Sequence, residues 1–348
     1  MKSLLLDIYK TNKLHSGLGQ FSLNFHNALL ENHGNWDLEF LIPSNFQYQN
    51  ENIANYRKVD LFNRYFPNLG SKPSLWHSLQ QFPSHQPPKG CKQILTVHDL
   101  NFLIEKEEHK AKKYLHRLQS NIDRADIITS ISHYTRNVLS ENIDLKGKKV
   151  HVIHNGVLLQ EFPESSRPLS AKADKFFFSI GIFSEKKNFH SLLPLFQKLK
   201  GQHLFIAGDH QTEYGKRLKK EIDSMGLSEQ VHILGKIKEE DKYWYYKNCE
   251  AFLFPSMAEG FGMPLIEAMS QGKAVFASDK CSLPEIGGDA AFYWENFDPN
   301  HMLQVLERGL EKKRQNPQEF AKRQMQQAAQ FSWEKCIQDY LNLYEQCL

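Results

Sequence analysis

The chain has 348 residues, 41% of them apolar and 24% charged, with a formal net charge of +3. This is too long for one ordinary core and fits two domains of roughly 150 residues each, with the composition of a soluble globular protein. The small net charge gives no reason to expect a nucleic-acid partner. The five cysteines (Cys91, Cys249, Cys281, Cys336, Cys347) are odd in number and scattered, with no metal-ligand spacing, which points to a reducing compartment. No apolar run approaches the ~20 residues of a membrane-spanning helix.

Residues 4–8 read as a first strand. The Leu4-Leu5-Leu6 run is ended by Asp7 and is too short for the apolar region of a signal peptide, so a cytoplasmic location is expected. Residues 16–20 (SGLGQ) form a glycine loop before a helical pattern at residues 21–30. Strand, glycine loop and helix open a doubly wound sheet. Ser22 stands where a Gly-x-Gly-x-x-Gly fingerprint would need glycine.

Residues 38–42 are a second strand stopped by Pro43, residues 44–73 a polar and aromatic excursion without period, and residues 75–77 a short strand before the proline-rich loop 82–88. Residues 93–97 (QILTV) form a buried strand ended by His98-Asp99-Leu100. Polar residues at the carboxyl end of a parallel strand face the crevice where ligands bind. His98 is either a hydrogen-bond donor into that crevice or a core histidine bonded to nearby backbone, and Asp99 orients it or meets a second ligand. Residues 105–124 make a charged helix with a basic excess. It reads as a solvated face or as a contact for an anionic membrane surface or a phosphate-bearing lipid. Residues 126–130 are a strand, Ser132 caps a helix over 133–142, and Asn155-Gly156 is turn chemistry.

Residues 160–175 read as a linker. The strand 176–180 (FFFSI) leads into Gly181-Ile-Phe-Ser-Glu-Lys186-Lys187-Asn188, and Asn188 caps a helix over 189–199. The lysine pair is either surface charge or a cation pair at strand ends. Strands follow at 203–207 and 231–235, separated by a helix at 214–225, and then an aromatic helix at 241–248 that reads as core.

The organising stretch is Ala251–Gln271, AFLFPSMAEGFGMPLIEAMSQ. It reads as a buried strand, a loop over 255–263 and a helix opening at Pro264, where proline's missing N–H costs nothing. Gly260 and Gly262 let the backbone approach a bound group, and the helix start offers N–H groups and a positive dipole end to an anion. Glu259 and Glu267 frame the turn. As ionised carboxylates they accept hydroxyls, or they are a loop acid and an acid favoured by the helix dipole. A strand at 274–277, the loop Ser282-Leu-Pro-Glu285, a helix after Phe297-Asp-Pro and a last helix after Phe331-Ser-Trp complete the chain.

Glu259-Gly-Phe-Gly-Met-Pro-Leu-Ile-Glu267, with Pro255-Ser256 before it and Ala268-Met269, Gly272, Ser282-Leu-Pro-Glu285 and Gly288 after it, resembles the Glu-x7-Glu block of retaining, nucleotide-sugar-dependent glycosyltransferases of family 4. Thr96-Val-His98-Asp-Leu100, Ser130-Ile-Ser-His-Tyr-Thr135 and Gly181-x4-Lys186-Lys187-Asn188 extend the likeness. Leu158 replaces the family's aspartate after Asn-Gly-Val, and Lys186 replaces a frequent arginine, which loses the bidentate fork.

The resemblance implies an α/β protein of GT-B fold, two doubly wound (Rossmann-like) domains facing a central cleft. The expected domains are 1–160, acceptor-binding and completed by the C-terminal helix 333–348, and 161–332, binding the nucleotide-sugar. It implies that Lys186, Lys187 and the amides of Gly260, Phe261, Gly262 and Met263 hold the diphosphate. Glu267 takes ribose hydroxyls, Glu259 sugar hydroxyls, and His98 with Gly17 and Gly19 completes the site from the first domain. The activity implied is retaining hexosyl transfer onto a glycan or lipid-linked acceptor in surface polysaccharide synthesis. GDP-mannose is the donor the motifs favour, with UDP-glucose or a related sugar open and a non-catalytic binding partner as the reading of another class. No carboxylate is left to serve as a covalent nucleophile, so the paired-carboxylate logic of glycosidases does not apply. A front-face displacement, in which the leaving phosphate helps deprotonate the acceptor, is the expected route. No Asp-x-Asp triad appears, so lysines and a helix dipole are expected to replace a metal, and no cofactor is expected.

Overall fold

The structure is a computed structural model that describes residues 2–13, 16–47, 53–59, 72–158 and 166–348. The chain divides into two compact units, Met1–Gly156 with Phe331–Leu348, and Val157–Gln330. Parts of the expected excursion (48–52 and 60–71) and of the expected linker (160–165) lie outside the described residues.

Among the described residues the first unit has seven parallel strands: β1 (Ser3–Asp7), β2 (Asp37–Pro43), β3 (Ala54–Val59), β4 (Leu75–Ser78), β5 (Lys92–Val97), β6 (Ile127–Ser130) and β7 (Val150–Val152), in the order β3-β2-β1-β4-β5-β6-β7. Its helices are α1 (Gly17–Glu31), the short α2 (Phe102–Glu105), α3 (Glu108–Arg124) and α4 (His133–Asn142). Strands such as LLLD and QILTV are apolar on both faces because helices cover both sides of a parallel sheet. Three expectations shift here. The helix expected from residue 21 starts at Gly17, because Ser16 caps it by accepting from Gly19 N at 3.1 Å. The excursion contains β3, an edge strand whose Arg57 pairs with Glu39 of β2. The long charged helix is two helices, and in α3 Lys110 and Lys112 are already paired with Glu107 and Glu108.

The C-terminal helix (Trp333–Gln346) belongs to this first unit. Trp333, Ile337, Tyr340, Leu343 and Tyr344 lie in one core with Phe21, Phe25 and Leu38, where each buried aliphatic side chain contributes ~1.5–3 kcal/mol. A buried polar chain fixes the register of that packing. His77 Nδ1 meets Tyr344 OH at 2.6 Å and its Nε2 meets Thr96 Oγ1 at 2.8 Å, while Tyr340 OH lies 3.2 Å from Thr96 Oγ1.

Among the described residues the second unit has six parallel strands, β8 (Phe176–Ile180), β9 (His203–Ala207), β10 (Val231–Gly235), β11 (Ala251–Phe254), β12 (Ala274–Ser278) and β13 (Phe292–Trp294), ordered β10-β9-β8-β11-β12-β13. The helices are α5 (Leu192–Lys198), α6 (Glu213–Ser224), α7 (Glu239–Asn248), α8 (Met263–Ser270), α9 (Leu283–Gly287), α10 (Pro299–Gln315) and α11 (Pro317–Ala329). The segment expected as the loop Ser282–Glu285 is therefore mostly helix. Asn188 does not cap with its side chain; it takes the left-handed conformation at φ +53° between two 3-10 turns. The carboxyl ends of β8, β9 and β10 are laddered by backbone bonds, Gly181 N to Ala207 O (3.0 Å) and Gly208 N to Gly235 O (2.8 Å). Gly208, at φ +137°, sits so close that a Cβ would lie 1.9 Å from Gly181 O. In each sheet the order reverses at one place, β1/β4 and β8/β11, the switch points where doubly wound sheets bind ligands.

Candidate active site

At the second unit's switch point, β8 runs into a 3-10 turn at Glu185–Lys187 and β11 into the loop that begins at Pro255. The two are stitched together by the protein's own hydrogen bonds. Met257 N donates to Lys186 O at 2.6 Å, and the Ser256 hydroxyl lies 3.1 Å from the same carbonyl. Ser278 donates to Ser256 O, and Ser282 Oγ lies 2.8 Å from Phe261 O and 3.1 Å from Glu259 O. All three serines are fully buried, so the loop's shape is fixed from beneath.

Onto this frame come Lys187 and Glu259. Lys187 Nζ stands 2.5 Å from Glu259 Oε1, with side chains 11% and 14% exposed. The same oxygen accepts from Ser256 Oγ at 2.6 Å, and the ammonium lies 4.8 Å from the centroid of the Phe254 ring. An ammonium has three donors, so one bond to Glu259 leaves capacity for an anionic oxygen. Glu259 keeps Oε2 as a further acceptor.

The loop closes on Gly262, at φ +108°, where a Cβ would meet Leu283 Cδ2 at 2.8 Å. Glycine is required by conformation and by space. Gly262 caps α8, and Pro264 falls at the second helical position, not the first as expected, still among the N–H positions that have no intrahelical partner. Glu267 lies beyond the first turn, which removes the simple dipole reading for it. Its carboxylate is held from α7: Lys242 Nζ is 3.1 Å from Oε1, and Tyr246 OH donates to Oε2 at 2.8 Å. Burial disfavours the Lys242 charge, but the Glu267 carboxylate beside it, with Glu239, holds its pKa above the usual lysine value. Burial and then the same carboxylate push the Tyr246 hydroxyl well above its ordinary pKa, so it stays a donor. A separate cavity of about 760 Å³ near the opposite ends of β8 and β11, lined by residues such as Lys175, Phe177, Leu306 and Arg314, contains none of these groups.

In the first unit His98 follows β5 and is buried. Its Nε2 lies 2.7 Å from Leu79 O, and its ring meets Phe21 edge-on at 4.7 Å. Burial lowers its pKa to about 4, against the raising effect of the Leu79 carbonyl, so the ring is neutral and has a single N–H. Since a carbonyl only accepts, that N–H is spent on Leu79. Thr135 Oγ1, in the turn capped by Ser132, donates to His98 O at 3.1 Å and braces the segment.

The sequence model described as glycosyl transferases group 1 matches residues 161–330, and that of glycosyltransferase family 4 matches residues 41–161. Together they span 41–330. The chain belongs to glycosyltransferase family 4. A serotype-specific mannosyltransferase, WbdA of Escherichia coli, is 29% identical over 266 residues; the alignment covers 70% of this chain and 32% of that one, so the chain spans about a third of that relative's length. The O-antigen chain mannosyltransferase B of Escherichia coli is 26% identical over 274 residues, 72% of this chain and 70% of that one. Sucrose-phosphate synthase from Thermosynechococcus elongatus superposes with a TM-score of 0.77 at 16% identity, over 99% of both chains. The two parallel-sheet units are those of the GT-B fold.

In this family 4 glycosyltransferase the second unit gathers Lys187, Glu259, Gly260, Phe261, Gly262, Met263 and Glu267 around one switch point. Lys186 contributes its backbone carbonyl to the stitching. Gly17 and Gly19 are not a loop but the first turn of α1. The N–H expected to reach a sugar from His98 is committed to Leu79, which leaves that ring its acceptor nitrogen. Sequence reasoning missed Lys242 and Tyr246, which sit on a helix taken as core. The signal was present: a lysine and a tyrosine four apart share one helix face.

Proposed function

We propose that this glycosyltransferase moves a hexose, from GDP-mannose, onto a glycan or lipid-linked acceptor in surface polysaccharide synthesis, with retention at the anomeric carbon and without a metal. The observation that carries the reading is the Lys187–Glu259 pair at 2.5 Å, set on a serine-braced loop beside the Gly262 helix start. When the donor binds, the Lys187 ammonium faces the diphosphate, with the Gly260–Met263 backbone supplying N–H donors, and stabilises the charge that develops as the sugar leaves. Glu259, pinned by Ser256, accepts sugar hydroxyls. Glu267, pinned by Lys242 and Tyr246, accepts the ribose hydroxyls. The first unit serves the acceptor, and the departing phosphate helps take the acceptor proton. Mannose is favoured by the WbdA and mannosyltransferase B likenesses. UDP-glucose on the same loops is the alternative donor. The setting is the cytoplasm, where nucleotide-sugars are made. Among the described residues no helix is long and apolar enough to cross a membrane, and the paired lysines of α3 leave it a reduced charge for an anionic surface.

The test is a thermal-shift screen of the purified chain against GDP, UDP, ADP and dTDP, each with Mg²⁺ and with EDTA. A ligand bound only by the native state raises Tm by mass action. A rise with GDP that EDTA leaves unchanged is the expected result. A rise with UDP instead refutes the donor, and one that EDTA abolishes refutes metal independence. No rise with any nucleotide at millimolar concentration refutes the transferase reading in favour of a non-catalytic partner.

A further inference from the structure

The first unit's switch point, between β1 and β4, carries a second buried pair. Asp7 is the last residue of β1, and His85 lies in the loop that follows β4. Their side chains are 1% and 0% exposed. His85 Nδ1 donates to Asp7 Oδ2 at 3.1 Å, and His85 N approaches the same oxygen at 3.3 Å. Asp7 Oδ1 accepts from Tyr9 N at 3.0 Å, and the Tyr9 ring meets the imidazole edge-on at 5.2 Å. The aspartate is thus fully engaged in fixing one ring in one orientation. The other ring nitrogen, His85 Nε2, is buried with no hydrogen-bond partner.

A buried polar atom left unpaired carries an uncompensated desolvation penalty, and such an atom in a folded protein calls for a ligand or water to explain it. In the neutral imidazole the aspartate, which only accepts, places the hydrogen on Nδ1. With the hydrogen on Nδ1, Nε2 presents a lone pair, the arrangement an Asp-held histidine uses to receive a hydroxyl hydrogen. Its position at the carboxyl end of β1, where the strand order reverses, is where an open α/β sheet binds its ligand. Further buried polar side chains, Gln80, Gln81 and His98, come from the start of the same loop and the end of β5.

We infer that Asp7 and His85 form an acceptor subsite for a hexose hydroxyl: His85 Nε2 accepts the hydroxyl hydrogen, and Asp7 is the positioning residue that holds the ring. The Tyr9 ring packs edge-on against the imidazole beside this nitrogen. This rests on the transferase reading above, and the ligand class is a neutral hexose at the end of a glycan.

The test compares the wild-type chain with His85→Phe, which keeps ring volume without the nitrogen, and His85→Gln, which keeps an acceptor. Each is assayed for transfer to octyl α- and β-hexosides and their monodeoxy analogues, for hydrolysis of the donor without acceptor, and for the nucleotide thermal shift. His85→Phe is expected to raise the octyl-hexoside KM at least ten-fold, with hydrolysis and thermal shift within two-fold of wild type. His85→Gln is expected to recover part of the loss. One monodeoxy acceptor should show the raised KM with wild type and no further change with His85→Phe. An unchanged acceptor KM overturns the inference alone. So does a parallel fall in hydrolysis and transfer, the mark of a merely structural residue. A wild-type chain that shifts with no nucleotide overturns the transferase reading and this inference with it.

Discussion

Removing a single hydroxyl, by Tyr246→Phe, asks whether Glu267 works as an oriented acceptor or only as a charge. The phenol is fully buried, its oxygen 2.8 Å from Glu267 Oε2, so phenylalanine leaves no sizeable cavity and no unpaired hydroxyl. The loss is one hydrogen bond to an ionised group, ~1.5–3 kcal/mol. Lys242 remains at 3.1 Å from Oε1, but it also serves Glu239 at 2.7 Å, so one shared anchor is left to set the carboxylate's direction. If half of the lost energy appears in binding, affinity for a ribonucleotide falls about 4- to 12-fold at ~1.4 kcal/mol per decade. If Glu267 takes the ribose hydroxyls as proposed, a nucleotide without them has nothing to lose there, and its affinity should stay within two-fold. Isothermal titration calorimetry with GDP and 2′,3′-dideoxy-GDP on both proteins measures the ratio directly. An equal loss for both nucleotides, or a loss for neither, refutes the assignment of Glu267 to the ribose.

Lys187→Ala should lower kcat/KM by about 10²–10³-fold in steady-state transfer assays, the scale of losing one preorganised transition-state donor, with Lys187→Arg recovering part of it. Gly208→Ala should destabilise the second unit by at least ~3 kcal/mol in urea unfolding, since it combines φ +137° with a Cβ 1.9 Å from Gly181 O. Acidification should weaken the first unit. Burial, with the His98 charge adding to it, lowers His77 to about 3, and burial lowers His98 to about 4. Both folded values lie below the unfolded 6.5, so the unfolded chain takes up protons first: stability is complete above about pH 6.5 and is lost as pH falls through 6.5 towards 4 and 3. At ~1.4 kcal/mol per pH unit for each histidine, the two together cost about 4 kcal/mol between pH 7 and pH 5. Urea midpoints at both pH values check it, and His77→Gln should remove about half of the pH-dependent loss.

What could be read from the sequence follows from how local its cause is. Residues 176–180 and 251–254 announce buried parallel strands because each is apolar on both faces, and the glycines, proline and glutamates of 259–267 are adjacent in the chain. Edge strands gave weaker signals. ANYRKV, which has one strand neighbour, is buried only at its two ends and carries Arg57 and Lys58 between them, and β13 is three residues long. Gly17 and Gly19 read as a loop in the sequence, yet the Ser16 cap one residue earlier decides the boundary. The supporting side chains were out of reach for a different reason. Asp7 and His85 are 78 residues apart, and His77 and Tyr344 are 267 apart. Only the finished topology makes them neighbours.

The C-terminal helix also bears on how the protein is made. Its aromatic face fills the core beneath β1, β2 and α1, and its tyrosines close the His77 chain. A ribosome releases Phe21, Phe25 and His77 long before Tyr340 and Tyr344. The half of the chain synthesised first therefore waits, with an open core, while the second half is translated and can fold behind it. Domains ordinarily fold in order of emergence. Here the order of completion is reversed, and the nascent first unit is the segment with most need of a chaperone.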